Sequence, residues 1–209
     1  MKHLQSRQFF DGIAAKGLWQ TFDASEQGAV DAFIKMWEIG PGSRVLEPGC
    51  GCGRLTELLA EKVGSDGQVV AVDISPAMIA SARRRGLPAQ VQLLESCLMD
   101  LSPAQYRFDQ VICCNVWPHL GHIDGVLDQI AALLEEGGSF WISHLCSREK
   151  INHIHRNAGR EVCDHLLPEA KILAEEISKH GFDLVDLADD DEVYWIHARS
   201  PGVAESSRV

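Results

Sequence analysis

No apolar run in this 209-residue chain approaches the ~18–20 residues a membrane span requires, and the amino terminus has no signal-peptide core. Neither a membrane anchor nor export is expected. Cations are scarce too: 19 Lys and Arg stand against 30 Asp and Glu, a formal net charge of −11. A nucleic-acid surface needs clustered Lys and Arg. The one basic run, Arg83-Arg84-Arg85, ends a predicted helix, where cations suit the dipole. None of the seven cysteines forms a C-x-x-C pair, and their number is odd. Reduced thiols in a cytoplasm are the plain expectation. There is no internal repeat and no second domain. With 23% charged residues, the chain has ample length for one α/β domain with a full core.

What is present centres on Val45-Leu46-Glu47-Pro48-Gly49-Cys50-Gly51-Cys52-Gly53 and the helical run Arg54–Val63 behind it. It reads as a buried strand, a glycine turn and a helix whose amino end is left open. Glycine bends the backbone sharply and leaves no Cβ between it and a ligand. The open helix start offers N–H groups and partial positive charge to a carboxylate or phosphate. Twenty residues after Gly53, a strand over Gln68–Val72 delivers Asp73, placed to accept hydrogen bonds from ribose hydroxyls. A nucleoside with an anionic tail fits between the two. It is not a dinucleotide, because the third glycine of G-x-G-x-x-G would fall on Arg54 or Thr56.

The pattern E-x-G-x-G-x-G resembles motif I of the class I S-adenosylmethionine-dependent methyltransferases. Gly49-Cys50-Gly51-Cys52-Gly53-Arg54-Leu55-Thr56 is similar to that family's G-C-G-T-G-R-L-T with Cys52 in place of Thr, and Val70–Ser75 resembles its next motif. The resemblance implies S-adenosylmethionine held by Glu47, Gly49, Cys50, Gly51, Gly53, Asp73, Ile74, Met78, Ser96, Cys97 and Asn115, with Asp73 on the ribose and Ile74 on the adenine. Where the family usually holds the adenine amino group by an aspartate, this chain offers Glu95 or the backbone around Cys97. Phe108–Asn115 resembles the family's fourth strand, and Val116-Trp117-Pro118-His119-Leu120 its loop beside the sulfonium.

Along the rest of the chain, Met1–Ala24 resembles the "F-F-D-x-I-A" opening of many small-molecule methyltransferases, which implies a flap; its aromatics could equally pad the sheet. Val30, Phe33, Ile34 and Trp37 recur on one helical face. Ser75-Pro76 starts a helix, and Val91–Leu94 is a short strand. A helix bearing Ile123, Val126, Leu127, Ile130 and Leu134 is expected to run to Gly137-Gly138, before a strand over Ser139–Ser143. A Pro168–His180 helix and strands Asp183–Leu187 and Val193–Arg199 close the chain, with Asp189–Glu192 as a solvated hairpin loop. The alternation predicts an α/β, doubly wound, Rossmann-like and mostly parallel seven-stranded sheet, in which only the last pair is an antiparallel hairpin. One domain is expected over residues 1–200, with 1–24 as flap and 201–209 as a flexible tail.

Six of nine histidines fall within Trp117–His165. The segment Ser143–Arg156 is similar to a methyltransferase subgroup carrying "S-R-E-x-I-N-x-I-H", which brings no substrate with it. Ser147 can cap a helix with Ile151, Ile154 and Ala158 on one apolar face; His155 lies at its edge and His153 points away. His119 follows strand four and His144 ends strand five, so both should overhang the crevice. His119, His144 and His155 are the catalytic candidates, as a general base with substrate-binding partners. Alternatively three of His119, His144, His155 and His165 hold Zn²⁺ or a similar divalent ion, although the spacing matches no compact zinc motif. The expected activity is methyl transfer to a small molecule, at oxygen or nitrogen in preference to a thiol or metalloid. Cys113, Cys114 and Cys146 would suit the latter but pack equally well as small apolar residues. A sensor that binds nucleoside or metal without turnover is the alternative class. Neither nucleic acid nor a membrane is an expected partner, and the oligomeric state is left open.

Overall fold

The computed structural model describes residues 2–201; most of the expected flexible tail, residues 202–209, lies outside them. The amino-terminal segment opens as a helix, α1 (Lys2–Ala15), followed by α2 (Ala24–Met36). Asp23 starts α2 with a capping box: its carboxylate accepts the Ser25 and Glu26 N–H groups, and Glu26 reaches back to the Asp23 N–H. Val30, Phe33 and Trp37 are buried as their spacing required, and Phe33 stacks on Trp37.

Then follow β1 (Arg44–Pro48), α3 (Arg54–Val63), β2 (Gln68–Asp73), α4 (Pro76–Arg83), β3 (Val91–Glu95), β4 (Phe108–Cys114), α5 (Ile123–Leu133), β5 (Leu134–His144), α6 (Arg148–Asn157), α7 (Ala170–Lys179), β6 (Asp183–Asp189) and β7 (Tyr194–Arg199). The seven strands form one sheet in the order β3-β2-β1-β4-β5-β7-β6. The first five pair in parallel. The expected hairpin is present, but β7 inserts between β5 and β6 and runs antiparallel to both.

Helices cover both faces. Successive strand residues point to opposite sides, so Val111 and Cys113 of β4 join one core layer with α5 and α7. Ile112 joins the other, with α2 and α3. Burial on both faces is why these strands read as continuous apolar runs. Chain order leaves β1 to one side for β2 and β3, then returns to β4 on the other. The crevice beyond β1 and β4 is therefore the switch point where such sheets bind ligands.

Two local expectations are corrected. The α5 helix stops at Leu133, and Leu134 already pairs with Phe108 as the first residue of β5. Gly137 adopts φ +69° inside that strand, opposite a register shift between Phe108 and Gln110, so the glycine pair forms an irregularity in the ladder and does not end a helix. In α6, Ile154 is 49% exposed, and the buried residue is Asn152. The Asn152 amide donates to the Leu167 carbonyl at 2.9 Å and accepts the Leu167 N–H at 2.7 Å, pinning the loop 158–169 to α6.

Replacing Asn152 with alanine strands both Leu167 backbone groups in a buried site. Denaturant titration is expected to show a loss of about 1–3 kcal/mol; an unchanged midpoint would remove the clamp from the account.

Candidate active site

The glycine turn after β1 leans on β4 and β2. Gly49 has φ +69°, and a Cβ there would overlap Val116 Cγ2, so the turn tolerates no side chain at this position. Gly51 has φ +54°, and a Cβ there would meet only Met78 Sδ, at 3.9 Å; space remains along the turn. The α3 helix begins behind Gly53 with no side chain capping it. The helix start is thus left uncapped, as the sequence implied.

Two carboxyl groups lie under the turn. Asp73 closes β2 and is 9% exposed. Its two oxygens accept the Gly51 N–H at 2.9 Å and the Ser75 N–H at 2.8 Å. Burial pushes its pKa up, and these hydrogen bonds oppose the shift. A carboxylate oxygen with one donor retains a lone pair for a hydroxyl. Glu47 is buried and accepts the Thr56 hydroxyl at 2.6 Å. Burial, with the Asp73 charge adding to it against the Thr56 bond, raises its pKa to about 8, so the group is largely protonated at neutral pH.

A cleft of about 870 Å³ spreads from this turn across the ends of β1, β2 and β4 to α6. It brings together Glu47, Gly49, Cys50, Gly51, Asp73, Ile74, Met78, Ser96, Cys97 and Asn115. Gly53 is outside that lining, one residue behind it at the helix start. Glu95 faces away and pairs with Arg7 at 3.3 Å, so Ser96 and Cys97 are what the end of β3 presents to the cleft. Asn115, at φ +54°, donates its N–H to the Ser143 carbonyl and accepts the Leu145 N–H, tying the ends of β4 and β5 together.

At the far end stand His119 and His155, with ring centroids 4.8 Å apart. His155 Nδ1 pairs with the His165 carbonyl, and a carbonyl only accepts, so Nδ1 carries the proton and Nε2 keeps its lone pair. His119 Nδ1 pairs with His165 Nδ1 at 2.9 Å. Burial, then the neighbouring imidazoles, lower the His119 pKa to about 3, and burial lowers that of His155. Both rings are neutral at pH 7.

His144 does not overhang the cleft. It is 1% exposed and sits edge-to-face on Tyr194, its cross-strand partner in β7. Its ring nitrogens and the Tyr194 hydroxyl have no protein hydrogen-bond partner. His153 is exposed on α6, as its position on the helix required. No group of three or more His, Cys, Asp or Glu side chains among the described residues is arranged to hold a metal ion. All seven cysteines are free, and five of them, Cys50, Cys52, Cys97, Cys114 and Cys146, line the cleft. Burial raises the thiol of Cys114 to about 12 and shifts those of Cys50 and Cys146 upward, so these three stay protonated.

Sequence reading missed how the segment before α2 is tied down. Arg54 pairs with Glu26 at 2.6 Å, donates to the Thr21 carbonyl at 3.0 Å and lies 4.2 Å over the Phe22 ring. Arg85, expected to be a solvated helix end, binds the Cys52 and Gln20 carbonyls and Glu57. Asp11 accepts the Ser75 hydroxyl at 2.6 Å. Only the amino-terminal aromatics hinted at this; Phe10, Trp19 and Phe22 line the cleft. The acidic turn is likewise not simply solvated. Asp189 pairs with Arg148 at 2.8 Å and caps α7 at Ala170, while Asp191 and Glu192 reach the cleft rim.

Alongside this sheet order, glycine turn and buried acid at the end of β2, residues 45–138 match the family described as a methyltransferase domain. That stretch, less than half of the chain, resembles the class I S-adenosylmethionine-dependent methyltransferases. The chain is 33% identical over 132 residues to the ubiquinone biosynthesis O-methyltransferase of Xanthomonas campestris pv. campestris, covering 62% of this chain and 54% of that protein. The chain thus spans about half the length of the curated relatives it matches. In fold it is similar to N-methyltransferase NodS of Bradyrhizobium japonicum with S-adenosyl-L-homocysteine bound (TM-score 0.70, 17% identity, 94% of this chain and 99% of that one). It is similar also to the [4+2]-cyclase SpnF (TM-score 0.64, 19% identity, 82% and 81%), so the fold by itself does not choose the chemistry.

The Glu47 shift has a stability consequence. Between its ordinary value of 4.5 and about 8 the folded state holds a proton that the unfolded chain gives up. The contribution of Glu47 to stability should therefore fall as pH rises through that window, by at most about 1.4 kcal/mol per unit. Glu47→Gln keeps an acceptor for Thr56 and removes the titration. Because the histidines with lowered pKa titrate in both proteins, the difference in unfolding free energy between wild type and variant is expected to fall across this range; parallel curves would exclude a buried neutral Glu47.

Proposed function

We propose that this protein transfers a methyl group from S-adenosylmethionine to an oxygen of a small-molecule acceptor, with cleft histidines handling the acceptor's proton. The observation that carries the reading is one cleft with the glycine turn and buried Asp73 at one end and His119 and His155 at the other. The curated relatives' printed names favour oxygen over nitrogen as the acceptor atom. The protonated thiols of Cys114 and Cys146 weigh against thiol or metalloid chemistry through these residues.

The residues present fit the donor. The space left along Gly51 lets a ligand approach the backbone, and the buried Asp73 carboxylate retains acceptor capacity for the ribose. The α3 amino end suits the donor's carboxylate. Ile74 and Met78 provide apolar contact for the base, with Ser96 and Cys97 at its edge. When bound, S-adenosylmethionine supplies an electrophilic methyl group on a sulfonium. The protein's part is to align the acceptor, exclude water and accept a proton. Phe10, Trp19 and Phe22 act as the cover, held by the Arg54 and Arg85 contacts. The acceptor is small and is not a nucleic acid, in keeping with the net charge of −11. Among the described residues no helix is long and apolar enough to cross a membrane.

Two measurements test this. By calorimetry, Asp73→Ala should weaken S-adenosylmethionine by about 1.5–3 kcal/mol for each charge-assisted hydrogen bond lost. Equal affinities for variant and wild type would refute the nucleoside site. Separately, His119→Ala and His155→Ala should bind the donor as wild type does yet turn over about 10²-fold more slowly or worse. Wild-type turnover in both would move the chemistry away from the histidine end.

A further inference from the structure

Residues 18–22, between α1 and α2, form a strap across the glycine-turn end of the cleft. Leu18 and Trp19 stay 44% and 47% exposed, so burial of these side chains does not anchor it. Its carbonyls do. Three in succession accept from residues around the glycine turn: Trp19 from the Cys52 thiol at 2.6 Å, Gln20 from the Arg85 guanidinium, and Thr21 from the Arg54 guanidinium at 3.0 Å. The strap is also strained. Trp19 has φ +59°, in the left-handed region that a bulky side chain disfavours. Such a conformation persists only where surrounding contacts over-determine it.

Arg85 ties these contacts together. It lies just beyond α4, and each of its guanidinium nitrogens has a different acceptor. Nε donates to the Cys52 carbonyl at 2.7 Å, one terminal nitrogen to Glu57 of α3 at 2.7 Å, and the other to the Gln20 carbonyl. One rigid fork thus fixes the strap against both the glycine turn and α3. The fit is close, since a Cβ on Gly53 would lie 3.4 Å from Arg85 Cδ.

We propose that Arg85 is a positioning residue that latches the strap over the glycine turn, and that the strap is the gate through which S-adenosylmethionine enters and leaves. The inference rests on the donor site of the methyl-transfer reading above. Trp19 lines the cleft together with Gly51, Cys52 and Asp73, so a donor lying along the turn is covered by the strap. Arg85 is outside that lining and acts through the strap, without touching the donor. Gly17, exposed and at φ +65° with open space around it, supplies the hinge. The three carbonyl bonds hold the strap closed, and the left-handed backbone of Trp19 opposes them. Loss of the Arg85 donors shifts that balance toward the open form.

The test uses the full chain, with S-adenosylmethionine and S-adenosylhomocysteine as probes and no acceptor. Cys52 is 3% exposed beneath the strap, so its alkylation by iodoacetamide reports opening. Arg85→Ala should label Cys52 about 10-fold faster than wild type or more, as loss of hydrogen bonds from a charged donor implies. Cys113, fully buried in β4, should stay unlabelled in both, which separates an open strap from an unfolded chain. Equal Cys52 labelling overturns the latch, whatever the protein binds. In stopped-flow binding, Arg85→Ala should speed both association and release of S-adenosylmethionine, because a larger open fraction serves entry as well as exit. A merely weakened site speeds release alone, and that result overturns the gate. Arg85→Lys, whose single ammonium cannot span three acceptors, should fall between the two, and it carries the same test if the alanine variant does not fold. If wild type binds neither nucleoside, the donor reading fails and the gate with it, while Cys52 labelling still decides the latch.

Discussion

The bidentate grip of the Asp73 carboxylate on the Gly51 and Ser75 N–H groups is the constraint from which the site is built. It joins the glycine turn after β1 to the end of β2 and the start of α4. Ser75 in turn caps α4 through the Met78 N–H and donates its hydroxyl to Asp11 of α1. One buried acid thus sets the relative positions of two strand ends, two helix starts and the amino-terminal helix. The cost is desolvation, visible in the raised pKa, and the backbone donors oppose it. Because those donors come from the main chain, the arrangement depends on Gly51 keeping its positive φ and not on any neighbouring side chain.

The geometry of the glycine turn was legible in the sequence for a physical reason. Its requirements are backbone requirements: a glycine where Val116 leaves no room, a helix start without a cap, an acid at a strand's end. Each demands a residue type at a fixed offset, so spacing reveals it. Helix faces were legible likewise, as Val30, Phe33 and Trp37 show. The start of β5 was not. Leu134 continues the apolar period of α5 and equally suits the strand position opposite Phe108, and tertiary pairing decides between them.

His144 shows how chain order misleads at a strand end. It follows Phe140 and Ile142 at a spacing of two, so it shares their face, the layer packed on α7, and points away from the cleft. The strand's neighbour was predicted correctly, but the face was not counted. Glu95 erred in another way: it ends β3 opposite Asp73 in register, as the family pattern implied, yet Arg7 of α1 draws its carboxylate outward. A long-range partner of that kind leaves no trace in local spacing, and the same holds for Arg54 with Glu26.

The two ends of the cleft meet the same electrostatic problem differently. At the glycine-turn end the Asp73 carboxyl is buried with backbone N–H dipoles arranged around it. At the histidine end the imidazoles sit below their ordinary pKa and the Cys114 and Cys146 thiols above theirs, so these four side chains are neutral. That division suits methyl transfer from a sulfonium to an oxygen. The donor's positive charge disappears in the reaction proposed above, and neutral side chains favour reactants that lose charge over an environment that solvates it. The same side chains cannot store the acceptor's proton, because an imidazolium there would be as poorly solvated as any buried cation. A site that lowers the cost of losing charge therefore also needs a route for the proton to leave.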